Sequence, residues 1–255
     1  MAKTYAPKLT TAYFLNGFTL PAIMIDLSTS ANQIHYVSNF DALLSTPFEG
    51  EINAICWKRK LDGDFSEIAN KIALSENMST LDLPELMKLQ LSEKGKLARE
   101  ILLNDLKLLQ SRGTSPILNV IKNYERDESY PFFPTDVYSF HVDRSPVPTD
   151  TFLCTYYGEP SELLPNSQAT QKILVPEIRE ELRKIYRGEV AGFEAFLTEH
   201  FYDLHYLPKP DAQPIGLGLG NLWKLAVDHP ESKVLPCVHR APLEKNGLRR
   251  LLMIS

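Results

Sequence analysis

The sequence predicts an α+β chain in which a helix-bearing first half lies against a strand-rich second half, and three observations carry that expectation. Apolar residues at helical spacing are concentrated before Gly113. Most of the 18 prolines come after Ser129, more than a helical bundle tolerates, because each removes a backbone donor and locks φ. From residue 136 onward the apolar residues fall into short runs separated by turn residues, the punctuation of sandwiches and barrels. A chain of 255 residues with 44% hydrophobic and 23% charged side chains can bury one large core, which excludes wholesale disorder, collagen and coiled coil. One domain over 1–255 is expected, with 1–125 a mixed α/β flank packed on a core formed by 126–255.

The elements follow in chain order. Residues 51–60 alternate Ile52, Ala54 and Cys56 with Asn53, Ile55 and Trp57, which predicts a strand in a sheet completed elsewhere. After Asp64, a plausible N-cap, Phe65, Ile68, Ala69 and Ile72 recur at helical spacing and predict about three turns of helix. Helices are also expected over 84–91 and 93–110, the second with Leu97, Ile101, Leu102, Leu108 and Leu109 and a stop at Arg112-Gly113. A last helix is expected over 176–186, opened by a proline in its first turn. Strands are expected over 136–142, 151–157, 220–227, 234–239 and 248–254.

Charge and cysteine content narrow the partners. With 27 basic against 32 acidic residues the net charge is −5, no footprint for a phosphate backbone, so no nucleic-acid partner is expected. Three cysteines (Cys56, Cys154, Cys237) are too few and scattered for a disulfide framework, which favours a reducing cytoplasm. The segment Met1-Ala2-Lys3-Thr4-Tyr5-Ala6-Pro7-Lys8 leads into no apolar run of the secretory kind, and no stretch approaches the roughly 20 apolar residues of a membrane span. A cytoplasmic protein without a membrane partner is therefore expected.

The strand around Phe140 separates by parity: Tyr138, Phe140 and Val142 share one face, and Ser139, His141 and Asp143 the other. Same-face neighbours in a strand lie about 6.5–7 Å apart, so His141-x-Asp143 can aim an imidazole and a carboxylate at one ion. His239, ending a later short strand, is the best-placed third ligand, and two histidines with one carboxylate leave open the positions that a non-heme Fe(II) oxygenase needs. Cys237, on the same strand face as His239, offers a closed zinc site as an alternative, although a small core residue is its simpler reading. His200 and His205, five apart, miss the helical ligand spacing and read as surface or core histidines. Gly216-x-Gly218-x-Gly220 lacks dinucleotide spacing and reads as a tight approach between strands. Lys224, among apolar neighbours, is a candidate for holding an anionic ligand or else marks a solvated strand edge, and Tyr156 and Thr155 are candidates for hydrogen bonds to a cosubstrate.

His141-x-Asp143, then His239, then Arg249-Arg250 about ten positions on, resembles the signature of the 2-oxoglutarate/Fe(II)-dependent dioxygenases, whose core is a double-stranded β-helix (a cupin-like jelly roll). More closely, Asn53-Ala54-Ile55-Cys56-Trp57-Lys58-Arg59, Leu222-Trp223-Lys224, His239-Arg240-Ala241-Pro242 and Arg250-Leu251-Leu252 look like a bacterial family of unknown function, some of whose members are encoded near zinc-uptake genes. The resemblance implies a jelly-roll core with a helical N-terminal flank, His141, Asp143 and His239 as Fe(II) ligands, and Arg250 or Arg249 on the distal carboxylate of 2-oxoglutarate. Strand parity points the two arginines oppositely, and Arg250, directly before Leu251-Leu252, is the favoured one. The chain departs from the oxygenase pattern after the arginine, where many members carry a hydroxyl residue and Leu251 and Leu252 stand here. An Fe(II)- and 2-oxoglutarate-dependent oxygenase acting on a small molecule or peptide is expected. The alternative is a non-catalytic metal-binding or ligand-sensing jelly roll linked to zinc homeostasis.

Overall fold

A computed structural model describes residues 32–74, 76–243, 245 and 247–255. The N-terminal segment read for a secretory signal lies outside these residues. Among the described residues no helix is long and apolar enough to cross a membrane.

The helices form where the sequence supplies caps and an apolar face. Asn39 caps α1 (Phe40–Ser45), Asp64 caps α2 (Phe65–Lys71), Asp82 caps α3 (Leu83–Lys88) and Ser92 caps α4 (Glu93–Gln110), each side chain accepting a first-turn backbone N–H. Helix α4 buries Ala98, Leu102, Leu106 and Leu109 along one stripe. Full burial of Leu102 and Leu109 contributes roughly 1.5–3 kcal/mol each. Later in the chain come α5 (Pro176–Ile185), with proline in its first turn, and α6 (Phe193–Glu199).

The strands make two largely antiparallel sheets. The first has seven, in the order β1 (Ile34–Val37), β2 (Ala54–Trp57), β11 (Leu222–Ala226), β6 (Asp150–Tyr157), β13 (Arg250–Ile254), β4 (Ile117–Ile121) and β3 (Met78–Leu81), with only β1 and β2 parallel. The second has six, in the order β10 (Ile215–Gly216), β7 (Glu162–Leu163), β12 (His239–Arg240), β5 (Phe140–His141), β9 (His205–Pro208) and β8 (Ala169–Gln171). Strand parity divides the core. Phe152, Cys154 and Tyr156 of β6 and Leu251 and Met253 of β13 pack with α2 and α4. Leu153, Trp223, Leu225 and Leu252 point the other way and meet Leu163 and Cys237 on the side of the second sheet.

The four expected helices match within a residue or a few, α1, α6 and the strands β1, β3, β4 and β7 to β10 were not expected, and two expected strands and the division of the chain differ. Over 136–142 only Phe140–His141 forms a strand, because the Asp136 carboxylate takes the Tyr138 N–H and its carbonyl the Ser139 N–H, folding the stretch before it into a turn. Over 234–239 only His239 joins a strand, since Pro236 has no N–H and Cys237 donates to Ala226 in the first sheet. The described residues up to 125 are more than a flank: β1 to β4 belong to the seven-stranded sheet, and β4 pairs with β13 over five residues. An apolar strand such as β13 has two hydrogen-bonding edges, and the second would otherwise be left open.

Candidate metal centre

His141 and His239 stand directly opposite each other on β5 and β12, so both side chains leave the same face of the second sheet. That face carries Leu163, the other cross-strand partner of His239, and looks toward the first sheet. The rings are 4.7 Å apart between centroids. Each is anchored through Nδ1 to a carbonyl two residues earlier, His141 to Ser139 at 2.8 Å and His239 to Cys237 at 3.1 Å. A carbonyl only accepts, so Nδ1 carries the proton in both rings and the Nε2 lone pair is free for a metal.

Asp143 lies two residues beyond His141, where β5 has ended and the chain is held instead against Asp228. Asp228 N–H donates to the Asp143 carbonyl at 2.8 Å, and Arg144 ion-pairs with Asp203 at 2.6 Å and with Asp228 at 2.7 Å. The Asp143 carboxylate accepts a hydrogen bond from Thr151 Oγ1 at 2.5 Å and lies 3.7 Å from His239 Nε2. One ligand atom from each of the three residues lies within 4.8 Å of the others. Cis ligands with bonds near 2.1 Å sit about 3 Å apart, so side-chain rotation of about 1–2 Å closes the trio on an ion.

The electrostatics suit that role. Burial and the neighbouring His239 push the His141 imidazole down to about 4, which keeps it neutral and able to ligate. For Asp143 burial works against the charge, yet His239, the Thr151 hydroxyl and His141 outweigh it and hold the carboxyl below its usual range. The trio is open on one side, where a crevice is lined by Thr135, Asp136, Val137, His141, Asp143 and His205.

The other site expectations separate by strand face. Arg250 is 8% exposed and lies on the same side as Leu252; its Nε donates to the Glu159 carbonyl at 2.8 Å, and its two amino groups donate to Tyr124 Oη and Ser161 Oγ. Arg249 points oppositely and donates to the carbonyls of Ala69 and Ile72 at the end of α2. Tyr156 does not face the trio: its hydroxyl donates to Asp105 on α4 at 2.7 Å, because it shares the helical face of β6 with Phe152 and Cys154. Thr155, one residue away, has the opposite parity and a buried hydroxyl without a partner among the described residues. Lys224 also lies on the helical face, donating to the Thr46 carbonyl at 2.7 Å over the Phe48 ring, so it is a buried tether and neither an interior ligand-holder nor a solvated edge. Cys237 is fully buried in the core between the sheets and outside the ligand cluster, and burial pushes its thiol up. The glycine run lies close to the first sheet: Gly216 ends β10, Leu219 bridges Thr155, and Gly218 and Gly220 have φ of 73° and 75°, with a Cβ on Gly220 coming 3.0 Å from Leu61. Thr151 escaped the sequence reading, which took His205 for a surface or core histidine. Parity with Leu153 could have found Thr151, whereas His205 becomes adjacent to His141 only through the pairing of β9 with β5.

Fold and site together define a two-sheet α+β protein with a two-histidine, one-carboxylate cluster at a crevice. No family model, curated protein or solved structure matches this chain.

Proposed function

We propose that this protein is an Fe(II)- and 2-oxoglutarate-dependent oxygenase built on a jelly-roll core, with a small molecule or peptide as its substrate. The observation that carries the reading is the convergence of His141, Asp143 and His239 within 4.8 Å, with both Nδ1 atoms anchored and one side open. The strand order supports the core. Numbering β4, β5, β6, β7, β10, β11, β12 and β13 one to eight, the sheets run 1-8-3-6 and 5-4-7-2, the order two Greek keys produce. Strands β8 and β9, with α5 and α6 between them, extend the second sheet beside β5.

Bound together in such a centre, Fe(II) and 2-oxoglutarate supply oxidising power with O₂ as co-reactant. The chain's own part is to bind, orient and exclude water. His141, Asp143 and His239 would hold the metal, and Thr151 fixes the Asp143 carboxylate. Arg250 fits a distal carboxylate because its three hydrogen bonds go to uncharged oxygens and no acidic side chain among the described residues pairs with it. A buried guanidinium with two N–H groups unspent is matched by an anion, bidentate, and burial pushes its pKa down in spite of Tyr124 and the charge of Glu159 nearby. Thr155 offers a further hydroxyl on the inner face.

The test is an anaerobic titration of the Fe(II)-loaded protein with 2-oxoglutarate, followed by the visible charge-transfer band of the chelate. A band that appears stoichiometrically supports the reading. Protein that purifies with zinc and gives no band with Fe(II) would move the assignment to the non-catalytic metal-binding jelly roll. In the same titration Arg250→Ala is expected to weaken 2-oxoglutarate by roughly tenfold or more, since a buried carboxylate is left unpaired. Arg249→Ala should leave that affinity alone and cost about 1–2 kcal/mol in thermal unfolding, through the orphaned carbonyls of Ala69 and Ile72. Equal effects of the two substitutions on 2-oxoglutarate would remove Arg250 from the site.

A further inference from the structure

His205 is the third histidine of a row that crosses three strands. His239 pairs with His141, and His141 pairs in turn with His205, so all three side chains leave the same face of the second sheet. His205 nevertheless stands apart from the ligands: its ring is 6.0 Å from that of His141, against 4.7 Å for His239, and it is outside the cluster that can close on one ion. It is 5% exposed and lines the crevice on the open side of the trio.

The hydrogen bonds around it accommodate a different tautomer from that of its neighbours. Lys172, itself buried, donates from Nζ to Ser139 Oγ at 2.8 Å and to the Pro134 carbonyl at 3.0 Å. An ammonium only donates, so the Ser139 oxygen is an acceptor toward Lys172 and its own hydrogen is left to donate. The only other partner of that hydroxyl among the described residues is His205 Nδ1, at 3.2 Å. With that hydrogen directed at Nδ1 of His205, the ring proton sits on Nε2, which has no hydrogen-bond partner among the described residues. The ring is braced edge-on by Phe133, 6.0 Å away. Two histidines of the row thus present a lone pair at Nε2, and the third presents an N–H.

We infer that His205 is a positioning residue of the metal centre, its Nε2–H donating to an oxygen of the carboxylate or carbonyl ligand that fills an open coordination position. The inference rests on the metal reading of the trio and adds to it the class of group the open side accepts: an oxygen acceptor, selected over a ligand that presents only donors. The set-back of His205 relative to His141 is what the role needs, since a hydrogen bond of about 2.7–3.2 Å must fit beyond the metal–ligand bond. Lys172 and Ser139 act through it by fixing which nitrogen bears the proton.

The experiment loads the full chain with Co(II), reads Co(II) affinity from its visible absorption, and then titrates oxalate as a carboxylate probe. His205→Phe should leave Co(II) affinity within about twofold and weaken oxalate tenfold or more. His205→Gln, whose amide N–H reaches about as far as Nε2–H, should restore oxalate binding to within about threefold of wild type. Ser139→Ala, which keeps the backbone carbonyl that anchors His141, should leave Co(II) binding intact and weaken oxalate about threefold or more, giving an independent reading if the Phe variant does not fold. Unchanged oxalate affinity in these variants, with Co(II) still bound, would overturn the role of His205 and leave the metal site standing. A large loss of Co(II) in His205→Phe that Gln does not rescue would make His205 structural or a ligand and overturn the role as well. Wild-type protein that takes up no Co(II) would overturn the metal reading itself, and this inference with it.

Discussion

Asp143→Ala is expected to lower metal affinity by on the order of 100-fold or more. Even groups that only orient a metal ligand typically cost 10–100-fold when removed, and Asp143 would be one of three direct ligands and the only anionic one. The loss is electrostatic as well as geometric, because two neutral imidazoles alone neutralise none of the charge of a divalent ion. Metal content of purified protein and a competition titration with a chelating dye measure it. Thr151→Val provides the graded comparison: the carboxylate remains but loses the hydroxyl at 2.5 Å, so a smaller loss, within the 10–100-fold range, is expected. Unchanged uptake in Asp143→Ala would leave His141 and His239 as two core histidines and dissolve the centre.

Asp105→Ala should be the most destabilising single substitution on the helical side. Asp105 is almost fully buried, accepts from Arg59 Nη1 at 2.7 Å and from the Tyr156 hydroxyl at 2.7 Å, and ties α4 to the first sheet. Arg59 is equally enclosed, with its Nε on the Gly220 carbonyl. Removing the carboxylate leaves a buried guanidinium uncompensated, a cost of roughly 3–5 kcal/mol. For a chain of this size each kcal/mol lowers the melting temperature by about 2–4 °C, so a fall of roughly 6–20 °C is expected. Calorimetry or denaturant unfolding checks it, and a change below about 1 kcal/mol would mean that the charge finds water or another partner. Metal affinity of the folded variant should be unchanged, since this network and the trio lie on opposite faces of β6.

Six site residues show how far the sequence could be read. His141 and Asp143 were legible because a two-residue period is a local property: residues two apart share a face, and the structure keeps that relation although the strand ends at His141. Arg249 and Arg250 were separable on the same ground, and their hydrogen bonds do go to opposite sides of the first sheet. Tyr156 and Thr155 were offered together as cosubstrate contacts, yet Tyr156 lies on the helical face. Parity states that Tyr156 and Thr155 face oppositely, but which of them faces inward depends on where the helices lie.

The sequence by itself determined the local elements: the capped helices over 65–110, proline in the first turn of α5, the strands around 151–157 and 250–254, and the pairing of an imidazole with a carboxylate in His141-x-Asp143. These are set by interactions within a few residues, which spacing and caps reveal. Only the tertiary structure decided that β4 completes the first sheet beside β13, that His239 stands opposite His141, and that His205 stands on its other side. The physical reason is the nature of a sheet: partners 98 residues apart in one case (239 − 141) and 64 in the other (205 − 141) meet because backbone donors and acceptors must be satisfied across strands. Register therefore places side chains together that no local pattern connects.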